Sequence, residues 1–253
     1  MNVLIFIKPV RSALVYSKEE RVGEYVINPY DLFCLNSIIA LKENYEMHIS
    51  CIAMGSDKAE DTLITAIAMG CDEGILLSDI NYFGGADTVA TSRVLAHFAK
   101  KMKYDLIVCG GKSVDGETGQ VKYGISELLH MECIDNVKRI LNIGNNNIIL
   151  ETERYNKVIE IQTSLPSVLA FNDFTLTKAN INLNKLKRAR NKGVMIMDFK
   201  DLGISMDLCG KKGSKTQVNE VSVISYDRAN FEEITGNLNE QVTFIDERIK
   251  QYL

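Results

Sequence analysis

The chain has 253 residues, enough for one large α/β domain with an extension. It is 46% hydrophobic and 25% charged, an ordinary globular balance, and its net charge of −4 offers no basic field to draw in nucleic acid. No apolar run approaches the roughly 18 residues that a membrane span needs, so no span is expected.

The opening MNVLIFIKPV is a short apolar run without a charged leader or a small-residue cleavage site. It reads as a first strand over Asn2–Ile7, not as a signal peptide. NPYDLFCLNSIIALKE (28–43) predicts a helix. Asn28 suits the N-cap, Pro29 the first helical position and Asp31 the first turn, with Leu32, Leu35, Ile38, Ile39 and Ala40 as the apolar face. HISCIAM (48–54) reads as a strand ended by Gly55-Ser56, and 57–69 as a helix closed by Gly70. A short strand at 74–77, a helix at 87–102, a strand at 105–109 and a helix at 119–130 follow. This β-α alternation predicts an α/β fold, a mostly parallel sheet flanked by helices, with ligands at the carboxyl ends of the strands.

After Ile134 the pattern changes to alternation, with turns at 144–147 and 155–157, and predicts a β-meander. Residues 174–193 are polar and basic, with KLKRARNK at 185–192, and read as an exposed arm. The tail over 227–253 suggests one or two short helices. The expected organisation is an α/β domain over 1–193 and a C-terminal extension over 194–253.

No catalytic set assembles. The three histidines, His48, His97 and His130, lie in a strand, in a helix and at a helix end, with no zinc-type spacing near them. The six cysteines lack C-x-x-C spacing and mostly sit among apolar neighbours, as free thiols do in a reducing cytoplasm. The nucleophile elbow, the P-loop and the dinucleotide fingerprint are all absent. What remains is a ring of strand-end loops. GGADTVATS (84–92) opens one helix, with Thr88, Thr91 and Ser92 as hydroxyls and Asp87 as either phosphate-side residue or plain helix cap. CGGKSVDGETGQV (109–121) opens another and carries four glycines. Helix N-termini with small and hydroxyl residues favour anions, and glycine lets a ligand approach the backbone or the chain turn tightly.

Four stretches resemble the β subunit of electron transfer flavoproteins: VINPYDLFCLNSIIALKE (26–43), AEDTLITAIAMGCDEG (59–74), GGADTVATSRVLA (84–96) and DLIVCGGKSVDGETGQVKYGISELL (105–129). DLG (201–203) and GSKT (213–216) extend the likeness over most of the chain. The resemblance implies a sheet of the adenine-nucleotide hydrolase-like type and an FAD-carrying α subunit as heterodimer partner, with the C-terminal extension packing on it. It implies a β-bound nucleotide that is AMP in simple electron carriers and a second FAD in bifurcating members, where NADH is the donor. An acyl-CoA dehydrogenase is the usual neighbour. Carried over residue by residue, the adenosine site falls on Phe6, Lys8, Asn28, Asp31, Ala53 and Met54, and the phosphate region on Val114, Asp115, Gly116, Thr118, Gly119, Gln120 and Val121. Asp87, Thr88, Thr91 and Ser92 match members that take FAD, which favours FAD over AMP. Leu183 is the candidate anchor for the dehydrogenase partner.

The chain departs from the family in four places, one of them the C-terminal G-S-P-T, which reads Gly213-Ser214-Lys215-Thr216. The loop RSALVYSKEERVGEYV (11–26), which borders the flavin in bifurcating members, is short; Leu129 leads into His-Met-Glu-Cys-Ile; and the docking arm reads Thr177-Lys-Ala-Asn-Ile-Asn-Leu. Two other readings stay open: a stand-alone nucleotide sensor of the universal stress protein type, and a β subunit kept only as a scaffold.

Overall fold

A computed structural model of the chain describes residues 1–12, 24–79, 81, 83–175, 179, 181–217 and 233–251. Most of the 11–26 loop, the arm residues Thr177, Lys178 and Asn180, and the start of the expected tail helices lie outside the described residues. The chain forms two units, Met1–Gln217 and Val218–Leu253.

In the first unit, apolar runs make a nine-stranded sheet in the order β11-β5-β4-β1-β6-β10-β7-β8-β9. Its parallel part comprises β1 (Asn2–Phe6), β4 (His48–Met54), β5 (Glu73–Leu77), β6 (Leu106–Gly110), β7 (Glu132–Ile143), β10 (Ser167–Phe171) and β11 (Met195–Met197). β8 (Asn147–Arg154) and β9 (Lys157–Ser164) add antiparallel to β7. A separate short hairpin pairs β2 (Pro9–Arg11) with β3 (Tyr25–Ile27).

Alternation along the central strands sorts the core onto two faces, as a sheet covered on both sides requires. Val3, Ile5, Ile49, Cys51, Leu106, Val108, Leu169 and Phe171 face Leu32, Leu35 and Ile38 of α1 (Pro29–Leu41) and Leu63 and Ala66 of α2 (Glu60–Met69). Leu4, Phe6, Ile52, Ile75, Leu77, Ile107, Val168 and Ala170 face Val94, Leu95 and Phe98 of α3 (Thr88–Met102) and Ile125 of α4 (Val121–Leu129). Gly70 ends α2 at φ +150°, where a Cβ would lie 3.0 Å from Ile39, so the expected stop signal is met for a steric reason as well.

Three expectations need correction. Strand β10 is not the last leg of a meander: it inserts between β6 and β7, parallel to both. Its five residues are all buried, and a continuous apolar run is the mark of a central parallel strand. The stretch expected to be an exposed arm contains the helix α5 (Leu183–Lys192), whose Ala189 packs against Ile64 and Ala68 of α2. Third, Asn28 flanks α1 without capping it by its side chain, which is spent elsewhere.

Beyond position 193 the first unit continues through β11 and two single helical turns, Phe199–Leu202 and Gly210–Gly213, and Leu202, Ile204 and Cys209 join the second face of the core. In the second unit, α6 (Leu238–Lys250) begins with a capping box between Asn237 and Glu240 and spaces Leu238, Val242, Ile245 and Ile249 by three and four residues.

Candidate functional site

The strand order reverses at β1. The connection through α1 leads to β4 on one side, and β6 takes the other. Such a switch point opens a crevice at the carboxyl ends of the two strands. Lys8 follows β1 and the 110–121 loop follows β6, so both edges of the crevice carry residues singled out in the sequence.

Asp31, in the first turn of α1, lies between the two strand ends. Its Oδ2 accepts the Lys8 N–H at 2.7 Å and its Oδ1 accepts the Gly110 N–H at 2.9 Å, so one carboxylate ties the ends of β1 and β6 together. Burial pushes its pKa up to about 7, against the downward pull of these N–H donors, the Asn28 side chain and the Lys8 charge. Asn28 makes the second tie. Its amide donates to the Lys112 carbonyl at 2.9 Å and its Oδ1 accepts the Val114 N–H at 3.2 Å. This explains the missing side-chain cap on α1: both ends of the amide hold the loop after β6.

Lys8 reaches over the crevice. Its Nζ lies 2.6 Å from Asp115 Oδ1 and 3.3 Å from Ser113 Oγ. Although desolvation raises the Asp115 pKa, the bonds from Lys8 and Ser113 bring it below the ordinary carboxylate range. Phe6 ends β1 and Ala53 and Met54 end the neighbouring β4, but Phe6 and Ala53 are buried in opposite faces of the core and only Met54 is half-buried. Val114, Asp115, Gly116, Thr118, Gly119 and Gln120 form the loop, and Val121 is the first residue of α4. A Cβ on Gly116 would meet Lys8 Nζ and Ser113 Oγ at 3.6 Å, and Gly119 has φ +59°, so this loop lies close to the lysine and turns through a glycine conformation.

The 84–92 loop has a different setting. Asp87 does cap α3, accepting from the Ala90 N–H at 2.9 Å. It also accepts the N–H groups of Lys215 at 2.6 Å and Thr216 at 2.9 Å and the Thr216 hydroxyl at 3.2 Å. Desolvation opposes these four bonds but they prevail, drawing the Asp87 pKa down to about 2. Ser214 Oγ accepts the Asp87 N–H at 2.9 Å, so the 214–216 segment straps this helix N-terminus. Thr88 and Thr91 are half-buried in the first turns of α3. Ser92 is buried one turn on, donating to the Thr88 carbonyl at 2.6 Å and contacting the Val121 carbonyl at 3.3 Å. A Cβ on Gly124 would lie 2.5 Å from Ser92 Oγ, so the hydroxyl sits in the seam between α3 and α4. Leu183, the first residue of α5, is 82% exposed.

Several residues that hold this rim were not among the candidates read from the sequence. Lys122, in the first turn of α4, is 6% exposed and donates to the Gly111 carbonyl at 2.7 Å. Its Nζ also lies 3.2 Å from Asp135 Oδ2. Asp135 and Asn136 bulge out of β7, where Leu169 pairs with Ile134 but Phe171 pairs with Val137. Asn172, just past β10, bonds Asn136 and fills the space beside Gly111 where a Cβ would go. A lysine in a helix's first turn opposes the helix dipole, and that anomaly was the one clue available in the sequence.

Among the described residues no histidine, cysteine and carboxylate group could hold a metal ion, and no helix is long and apolar enough to cross a membrane. Cys34, Cys51, Cys71, Cys109 and Cys209 are buried free thiols, and burial raises the pKa of Cys34, Cys51 and Cys109.

A mostly parallel sheet with a switch point tied at the ends of β1 and β6, and a glycine-bearing loop entering a helix there, defines a doubly wound α/β protein. Residues 18–199 match the electron transfer flavoprotein domain. The chain is 34% identical to the electron transfer flavoprotein subunit beta of Clostridium acetobutylicum over 217 residues, 85% of this chain and 81% of that one. It is 32% identical to the electron transfer flavoprotein subunit beta of Thermoanaerobacterium thermosaccharolyticum, over 98% of both chains. It is 33% identical to the caffeyl-CoA reductase-Etf complex subunit CarD of Acetobacterium woodii, over 76% of this chain and 74% of that one. The chain therefore belongs to the electron transfer flavoprotein β subunit family, and its role is in electron transfer.

Proposed function

We propose that this chain pairs with an electron transfer flavoprotein α subunit and holds the adenine nucleotide of an FAD at the β1/β6 crevice. As half of that heterodimer it passes electrons from a donor, NADH or a dehydrogenase, to a partner of the acyl-CoA dehydrogenase type. The observation that carries this is the double tie of Asp31 and Asn28, which fixes the loop 110–116 against Lys8 at a topological switch point. Family membership and the names of relatives in CoA-linked reductase complexes support the partner class. The free buried thiols support a cytoplasmic setting.

The donor set fits a nucleotide. The Thr118 hydroxyl and the glycine N–H groups at 116 and 119 are suited to phosphate oxygens, the Glu117 N–H being spent on the Ser113 carbonyl. Lys8, paired with Asp115, can share its charge with a phosphate, and Asp115 can accept from a ribose hydroxyl. Of the residues expected beside the adenine, Met54 is half-buried and offers apolar surface, whereas the side chains of Phe6 and Ala53 are spent on the core. Bound FAD would supply the redox chemistry; the protein positions it and sets its electrostatic surroundings. Thr88 and Thr91 extend the site toward the second phosphate of a dinucleotide.

A second reading, AMP alone, is favoured by one observation. The N-terminus of α3 is already closed by Asp87, a carboxylate bonded to Lys215 and Thr216, which competes with a phosphate for the same positive helix end.

The test is to co-express the chain with the α subunit of its own genome and quantify the FAD and AMP released per heterodimer. Two FAD establish the first reading. One FAD with one AMP establishes the second. An absence of nucleotide beyond the FAD of the α subunit refutes both.

A further inference from the structure

We propose that Lys122 is a positioning residue for the 111–119 loop: its buried ammonium holds the Gly111 carbonyl and so presets the loop that faces the ligand. For its effect on affinity, this inference rests on the nucleotide reading above.

The burial of Lys122 demands an explanation. Its ammonium is desolvated in the first turn of α4, where the helix dipole repels a cation. Two partners offset this. One is Asp135, whose Oδ2 lies 3.2 Å away and also accepts the Tyr123 hydroxyl at 2.6 Å, while its Oδ1 accepts the Asn136 N–H at 2.8 Å. The other is the Gly111 carbonyl at 2.7 Å. The Tyr123 ring adds a cation–π contact, its centroid 5.0 Å from Nζ. Asp135 is itself held by the bulge in β7, so the lysine has a fixed footing on the sheet.

The geometry of the loop shows what this footing does. Gly111 is where the chain leaves β6, and its N–H donates to the Phe171 carbonyl at 2.7 Å. Eight residues later the loop folds back: a Cβ on Gly119 would lie 3.1 Å from the Gly111 oxygen and 3.6 Å from Lys122 Nζ. The ammonium therefore pins the place where the loop's start and end meet. Asn28 holds the near side at Lys112 and Val114, and Lys122 holds the far side. Remove the charge and the Gly111 carbonyl loses its partner while the Asn28 ties remain.

The experiment uses the full chain with its α subunit and the variants Lys122→Met, Lys122→Arg and Asp135→Asn. Methionine keeps the length and removes the donor, while arginine keeps a donor and the charge. Hydrogen exchange of a peptide spanning 110–121 and titration with AMP and FAD are read together with thermal stability. In Lys122→Met, the loop amides should exchange at least about tenfold faster and nucleotide should bind at least about tenfold more weakly, the size expected for one charged hydrogen bond. Lys122→Arg should recover most of both. Asp135→Asn should lower the melting temperature yet keep affinity within about threefold, because the Gly111 bond survives.

Unchanged exchange in Lys122→Met overturns the inference. So does a parallel loss of stability and affinity in all three variants, which is the mark of a purely structural ion pair. A parent complex that binds no nucleotide beyond the FAD of the α subunit refutes the proposed function, and hydrogen exchange then decides the positioning role by itself.

Discussion

Asp31 and Gly110 meet across the switch point of the sheet. The carboxylate of one accepts the N–H of the other at 2.9 Å, and a Cβ at 110 would contact Asp31 Oδ1 and come within 2.7 Å of Tyr30 Cβ. Glycine at 110 is thus required by the approach of α1 to the strand end. Gly110→Ala should destabilise the chain by about 1–3 kcal/mol, the usual cost of overpacking. Urea unfolding measures this, and a change below about 0.5 kcal/mol would show that the helix can yield.

The same carboxylate should make stability depend on pH. Its folded-state pKa of about 7 lies above the unfolded value. Between about pH 4 and pH 7 the native chain therefore keeps a proton that the unfolded chain has released, and stability declines as pH rises across that window. Unfolding midpoints taken from pH 4.5 to 8 should show this slope, and Asp31→Asn should remove it. An identical slope in both proteins would assign it to other groups.

Asp87 should act in the opposite sense. Its folded-state pKa of about 2 lies below the unfolded one, so its contribution is present above about pH 4 and is lost as pH falls through 2. Asp87→Ala should cost about 1–2 kcal/mol at pH 7, from the lost cap and the released 214–216 strap, and less at pH 2. Limited proteolysis should cut near 214–217 sooner in the variant. Equal cutting rates would show that Ser214 alone keeps the strap in place.

Ser92 separates a packing role from a ligand role. Its hydroxyl lies in the α3–α4 seam, so Ser92→Ala should cost about 1 kcal/mol of stability and leave the bound nucleotide unchanged. Lost nucleotide with unchanged stability would place the hydroxyl on a phosphate instead.

Lys8 should show the reverse pattern. Its pair with Asp115 is exposed to solvent, and Lys8→Met should change stability by less than about 1 kcal/mol. Nucleotide affinity should fall, and the fall should shrink at high salt, because the lost interaction is between exposed charges. Salt-independent loss would point to a conformational change in the loop.

The sequence by itself determined the α/β alternation, the stops at Gly55 and Gly70 and the strand-end location of the glycine-rich loop, and it left Asp87 open between cap and ligand. These are local matters: periodicity, caps and glycine conformations act within a few residues. The tertiary structure decided the rest. Strand β10 reads as one more leg of an alternating run, and only its pairing partners place it in the centre of the sheet. Asn28 reads as a helix cap, yet its amide spans to residues more than eighty positions away. Lys122 and Asp135 look like unrelated surface charges until the bulge in β7 brings them within 3.2 Å. Interactions of this reach are set by which strands become neighbours, and the hydrophobic pattern that drives strand pairing says which face is buried without saying which strand lies beside which.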